Sequence, residues 1–192
     1  MKPFWGLVAV NARKVKFMRR ICLLALTVLS LVALGAPLAG TAQEARGWRT
    51  ATEAELKALI PARAPVEKER IETELRSASG VTDGHGRFIA GVVLITAGYS
   101  AEGKYSHFFI AQAPVRIGDS LLPAGEYLVG WQRETDSLNV NFYESTSGKQ
   151  VANIQATRNP AITRVESFRI YPPGEKSLIQ IGRFTFPYRL GD

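Results

Sequence analysis

Cysteine is almost missing from this chain. Cys22 is the only one among 192 residues, and it lies inside an apolar run near the N-terminus. The chain beyond that run can form neither a disulfide nor a thiolate zinc site. Histidine is nearly as scarce, with His85 and His107 alone. Acidic residues are absent from the first 42 positions, which hold Lys2, Arg13, Lys14, Lys16, Arg19 and Arg20. The whole-chain charge is +7, but beyond Ala42 18 basic residues face 17 acidic ones, a net charge of +1. Without a basic field the electrostatic footprint of a nucleic-acid-binding protein is lacking, and no nucleic-acid partner is expected. Also lacking are a GxSxG elbow, a GxGxxG fingerprint and a phosphate-cradling GxxxxGK[ST] loop.

The basic segment leads into Ile21 to Ala36, an apolar run too short and too sharply ended for a comfortable membrane span. Small residues at Gly40, Thr41 and Ala42 follow. Together these predict a signal peptide over residues 1–42, with Met18 as an alternative start. The domain beyond it is expected to be exported, to the periplasm or outside the cell, with no stable membrane span after cleavage.

Residues 43–65 read as a leader and a short helix. Thr52 sits at an N-cap with Glu55 three positions on, Leu56, Leu59 and Ile60 share a face, and Pro61 ends the helix. PARAP reads as a rigid connector. Val66 to Ala78 carries both periods, and is read as helix-like up to about Lys68 and as strand beyond it. Phe88 to Ala97 is apolar and β-branched throughout, the pattern of a strand covered on both faces. Further strands are expected over 105–112, 115–117, 126–133, 138–143, 150–156, 164–171 and 178–186, divided by Gly, Pro and Asp turns. Short strands at this spacing, with no long periodic helix, predict an all-β fold: an antiparallel β-sandwich over 66–192 with a short N-terminal helix before it. An outer-membrane barrel is disfavoured, because 88–97 is apolar on both faces and several strands are short.

Few residues offer chemistry. His107, in YSHFFI, shares a strand face with Tyr105 and Phe109. Glu72 and Glu74 share a face about 7 Å apart by strand rise, and a solvated face accounts for them. Asp83 and His85 make only two ligands where a metal site needs three or four. Trp131, beside Gln132 and Arg133, has a flat face suited to stacking, yet it shares the side of Tyr127 and Val129 that points inward. Tyr99 and Tyr105 bracket the loop GYSAEGKY, the best exposed candidate. The candidate binding residues are therefore Tyr99, Tyr105, His107, Trp131 and Arg133, with no catalytic set, no metal site and no cofactor.

The phrase IGDSLLPAGEYLVGW, with GRFIAGVVLITAGYSAEGKYSHFF and IQIGRFTFPYRL, is similar to elements of an uncharacterised family of secreted bacterial β-sandwich proteins. In the PAGEY turn Pro123 presets φ, Gly125 permits a tight turn and Tyr127 starts a strand. The resemblance implies a fold and an exported location, and it assigns no site residues. The expected role is a non-catalytic module that binds a protein or a small ligand, a glycan included, in the cell envelope. The alternative is an envelope hydrolase with His107 or the Glu72/Glu74 pair as acid–base.

Overall fold

The computed structural model describes residues 47–174 and 176–191, all within the compact unit Ala39–Asp192. The expected signal segment, Met18 and the first part of the leader lie outside the described residues. The elements in order are β1 (Arg49–Thr50), α1 (Glu53–Leu59), β2 (Arg63–Val66), β3 (Glu69–Thr82), β4 (Phe88–Leu94), β5 (His107–Ala111) and β6 (Val115–Ile117). They continue with β7 (Ser120–Leu122), β8 (Gly125–Arg133), β9 (Ser137–Glu144), β10 (Gln150–Arg158), β11 (Glu166–Ile170), β12 (Leu178–Gly182) and β13 (Phe184–Leu190). The capping box forms as the sequence predicts. Thr52 Oγ1 accepts from the Glu55 N–H, and the Glu55 carboxylate accepts from the Thr52 N–H at 2.8 Å. Arg49 forks onto the same carboxylate, and with the Thr52 bonds it holds the Glu55 pKa down to about 2.

Every ladder is antiparallel, and the strands join in one sheet in the order β1-β3-β4-β5-β8-β9-β10-β13-β12-β11. β11 comes back to lie beside β3 and β4, where the Ile170 N–H donates to Ser79 Oγ at 2.9 Å. The all-β antiparallel class with its short helix is what the structure shows. The two layers of the expected sandwich are continuous here, as one sheet curled until it is nearly closed like a barrel.

Alternation along the strands sorts the apolar residues onto two sides. Ile89, Phe109, Val129, Val140, Phe142, Phe168, Phe186 and Tyr188 face inward and pack as the main core. Ala90, Val92, Phe108, Ile110 and Leu128 face outward from β4, β5 and β8, where Leu56 of the helix, Ile60 at its C-cap and Ala64 and Val66 of β2 cover them. That is why 88–94 has no polar face. The hairpin of β6 and β7, paired to the end of β13, brings Val115, Ile117 and Leu122 under the core. It fills one end of the curled sheet.

Three local expectations need correcting. Arg63–Val66 is strand, not connector or helix. Among the described residues it pairs with β3 alone, through a two-residue turn at Glu67 and Lys68, Glu67 standing at φ 52°, and an edge strand tolerates Pro65 because no ladder bond is asked of its nitrogen. The run 178–186 is two strands. Gly182, at φ 63°, turns the chain so that Ile181 faces Phe184 across the ladder, the Gly-X pattern of a two-residue hairpin. The PAGEY turn is held by the Tyr127 hydroxyl, which donates to the Pro123 carbonyl at 2.7 Å, and Gly125 has no positive φ there.

Candidate ligand-binding cleft

At the end opposite the β6–β7 hairpin the curled sheet opens into a cleft of about 920 Å³. Its walls are strand ends brought together by the ladders: Val93 and Leu94 from β4, His107 from β5, Trp131 and Arg133 from β8, and Leu138 from β9. Arg158 from β10, Ile181 from β12, Phe184 from β13 and Ser167 from β11 complete it. The register explains the convergence. His107 sits opposite Val93 on one side and Val129 on the other. Arg133 sits opposite Leu138, and Arg158 opposite Phe184. Along β8 the inward face runs Tyr127, Val129, Trp131, Arg133. The first two are core, and Trp131 is the first to emerge, at 40% exposure.

His107 forms the floor. It is 4% exposed, its ring centroid lies 4.9 Å from that of Phe168, and its Nδ1 is 2.8 Å from Ser106 Oγ. Ser106 Oγ also donates to the Val129 carbonyl. Burial drives the His107 pKa down to about 4, only partly offset by the nearby Ser167 carbonyl. The ring is therefore neutral at ordinary pH. No described group makes a well-formed hydrogen bond to Nε2, although it is buried. A polar atom in that state costs about 1–3 kcal/mol.

Tyr105 is 2% exposed, so it supports one wall instead of presenting a stacking face. Its hydroxyl donates to the Glu67 carboxylate, which also takes Lys104 Nζ at 2.6 Å. That pairing lowers the Glu67 pKa and raises that of Lys104. Gly130 lets the loop lie this close, since a Cβ there would come 2.2 Å from the Lys104 carbonyl oxygen. Gly130→Ala should therefore cost about 1–3 kcal/mol in urea unfolding. A variant as stable as the parent would show that the loop moves freely.

The structure brings Tyr105, His107, Trp131 and Arg133 to one cleft and leaves Tyr99 outside it. Tyr99 packs beside the outer apolar cluster, and its hydroxyl accepts from Arg63 at 2.9 Å. Arg158 and Arg183 line the cleft too. They were not singled out from sequence, where each is one arginine beside a turn. Glu72 and Glu74 are exposed on β3, and neither lines the cleft. Glu74 borders a separate groove along the seam between β3 and β11. The Asp83 carboxylate is engaged by the His85 and Arg87 N–H groups and by Arg87 Nε at 2.7 Å, which ties the turn together. Among the described residues no cluster of three or more His, Cys, Asp or Glu forms a metal-binding group. Nor is any helix among them long and apolar enough to cross a membrane. Comparison with protein-family models, with curated proteins and with solved structures returned no match.

Proposed function

We propose that this chain is an exported, non-catalytic β-module that binds a small organic ligand in the open end of its curled sheet. One observation carries the reading: a cleft of about 920 Å³, walled by strand ends, with a half-exposed tryptophan at its lip and a buried neutral histidine beneath it. Clefts of roughly 300–1,000 Å³ with apolar walls and a few polar groups are the usual size and chemistry of small-molecule sites, and barrel mouths are a common place for them. The predicted signal peptide and the resemblance of the PAGEY region to secreted sandwich proteins support the exported setting. A protein partner is the competing occupant. The cleft's volume, within the usual range of small-molecule sites, favours a small molecule.

A hydrolase is the second reading, favoured by the 2.8 Å contact between Ser106 Oγ and His107 Nδ1. It is the weaker one. No described carboxylate bonds His107 to orient it, and an imidazole with a pKa near 4 is a poor base at neutral pH.

Melting curves against envelope glycans, lipids and small metabolites test the proposal. A true ligand raises the transition saturably, by about 2.7 kcal/mol at a hundredfold excess over its Kd, and Trp131→Ala removes the rise. Ester turnover abolished by Ser106→Ala would replace this reading with the enzymatic one.

A further inference from the structure

Three arginines meet at the lip of the cleft. Arg133 ends β8, Arg158 ends β10, and Arg183 occupies the turn into β13. The three ladder steps from β8 to β13 span about 14 Å at the usual strand spacing. The Arg133 side chain crosses much of that gap, its guanidinium carbon lying 5.5 Å from the centre of the Phe184 ring. Phe184 is the ladder partner of Arg158 and the chain neighbour of Arg183. Arg158, as the ladder partner of Phe184, projects from the same face, and Arg183 lines the same cleft. None of the three forms a salt bridge among the described residues. Asp136, exposed, is the one carboxylate among the lining residues, and Lys104 is already matched by Glu67. Converging like charges repel unless an anion sits among them.

Trp131 shares this lip, and below it the lining turns apolar at Leu138, Ile181 and Phe184. We infer that the cleft takes a small organic anion: an aromatic or aliphatic body lies against Trp131, Ile181 and Phe184, and its anionic group is held by Arg158, Arg183 and Arg133. This deepens the binding reading above and rests on it. Guanidinium forks suit carboxylate, sulfonate and phosphate-ester oxygens alike.

The test uses two probes with one carbon skeleton, the anion 1-anilinonaphthalene-8-sulfonate and its uncharged counterpart N-phenyl-1-naphthylamine. Each is titrated by fluorescence into the purified full chain and into Arg158→Gln, Arg183→Gln and Trp131→Ala variants. Both arginines are exposed and have no ion-pair partner among the described residues, so their glutamine variants should melt with the parent. The sulfonate is expected to bind about tenfold or more tightly than the neutral probe, the gain of one charge-assisted contact or better. Its affinity should fall with added salt, and either arginine variant should remove most of the preference while leaving the neutral probe unchanged. Equal affinity for both probes, each weakened by Trp131→Ala, would overturn the anion inference and leave the binding reading standing. Binding of neither probe, or binding indifferent to Trp131→Ala, would overturn both.

Discussion

Phe168→Ala is expected to lower the unfolding free energy by about 3–5 kcal/mol, the range for deleting a buried phenylalanine. The reason lies in how the sheet closes. β11 reaches β3 and β4 without a regular ladder, and among the described residues one bond of its backbone, from the Ile170 N–H to Ser79 Oγ, crosses the seam. Phe168 supplies what the missing ladder does not. Its ring lies where a side chain on Gly91 would stand, since a Cβ there would come 2.3 Å from Phe168 Cε1, and its other neighbour is His107. For a domain whose whole margin is about 5–15 kcal/mol, this loss is large. Urea unfolding with amide exchange over 166–170 measures it, and exchange there should quicken most. Gly91→Ala attacks the same contact from the other side, at about 1–3 kcal/mol, and its cost should vanish in the Phe168→Ala background. Additive losses would show that the two residues act separately.

Acid should destabilise the protein through His107. The folded-state pKa is near 4 against about 6.5 for the free imidazole, so the unfolded chain binds the proton more readily. The associated stability is intact above pH 6.5, declines as pH falls, and is lost by about pH 4. At about 1.4 kcal/mol per unit, the loss is about 3 kcal/mol. Glu55, whose pKa lies near 2, and Glu67 and Asp83, whose pKa values are also lowered, add their own losses below the ordinary carboxylate range. Those losses are common to the parent and to His107→Gln. The difference between the two proteins in unfolding free energy, followed from pH 7 to pH 4, isolates the histidine. Parallel curves would mean that His107 is hydrated and titrates normally.

The sequence made the strands legible where turns carried glycine or proline in plain view, and the Thr52–Glu55 cap could be read from four residues. The split of 178–186 shows in the sequence only as a one-residue slip of phase: Ile179 and Ile181 alternate on odd positions, Phe184 and Phe186 on even ones, with Gly182-Arg183 between them. β2 was obscured by Pro65, which an edge strand accommodates, and by Pro61 just before the strand. For the cleft, Tyr105, His107, Trp131 and Arg133 stood out because rare or aromatic residues occurred beside polar ones. Arg158 and Arg183 carried no such local signal. They converge only through the β10–β13 ladder, which pairs Arg158 with Phe184 across 26 positions of sequence. Tyr99 drew attention as a loop aromatic, yet its hydroxyl is occupied by Arg63.

Two tryptophans make the binding proposal directly measurable. Trp131 stands at the lip of the cleft, whereas Trp48 is buried at 5% exposure with the Arg87 guanidinium 5.8 Å from its ring. Their indole N–H signals, followed by nitrogen-15 NMR during titration of 1-anilinonaphthalene-8-sulfonate, report the two ends of the domain separately. A saturable shift of Trp131 with Trp48 unmoved is the predicted result. A titration that leaves Trp131 in place, or moves both indoles alike, would contradict a ligand site at the open end of the sheet.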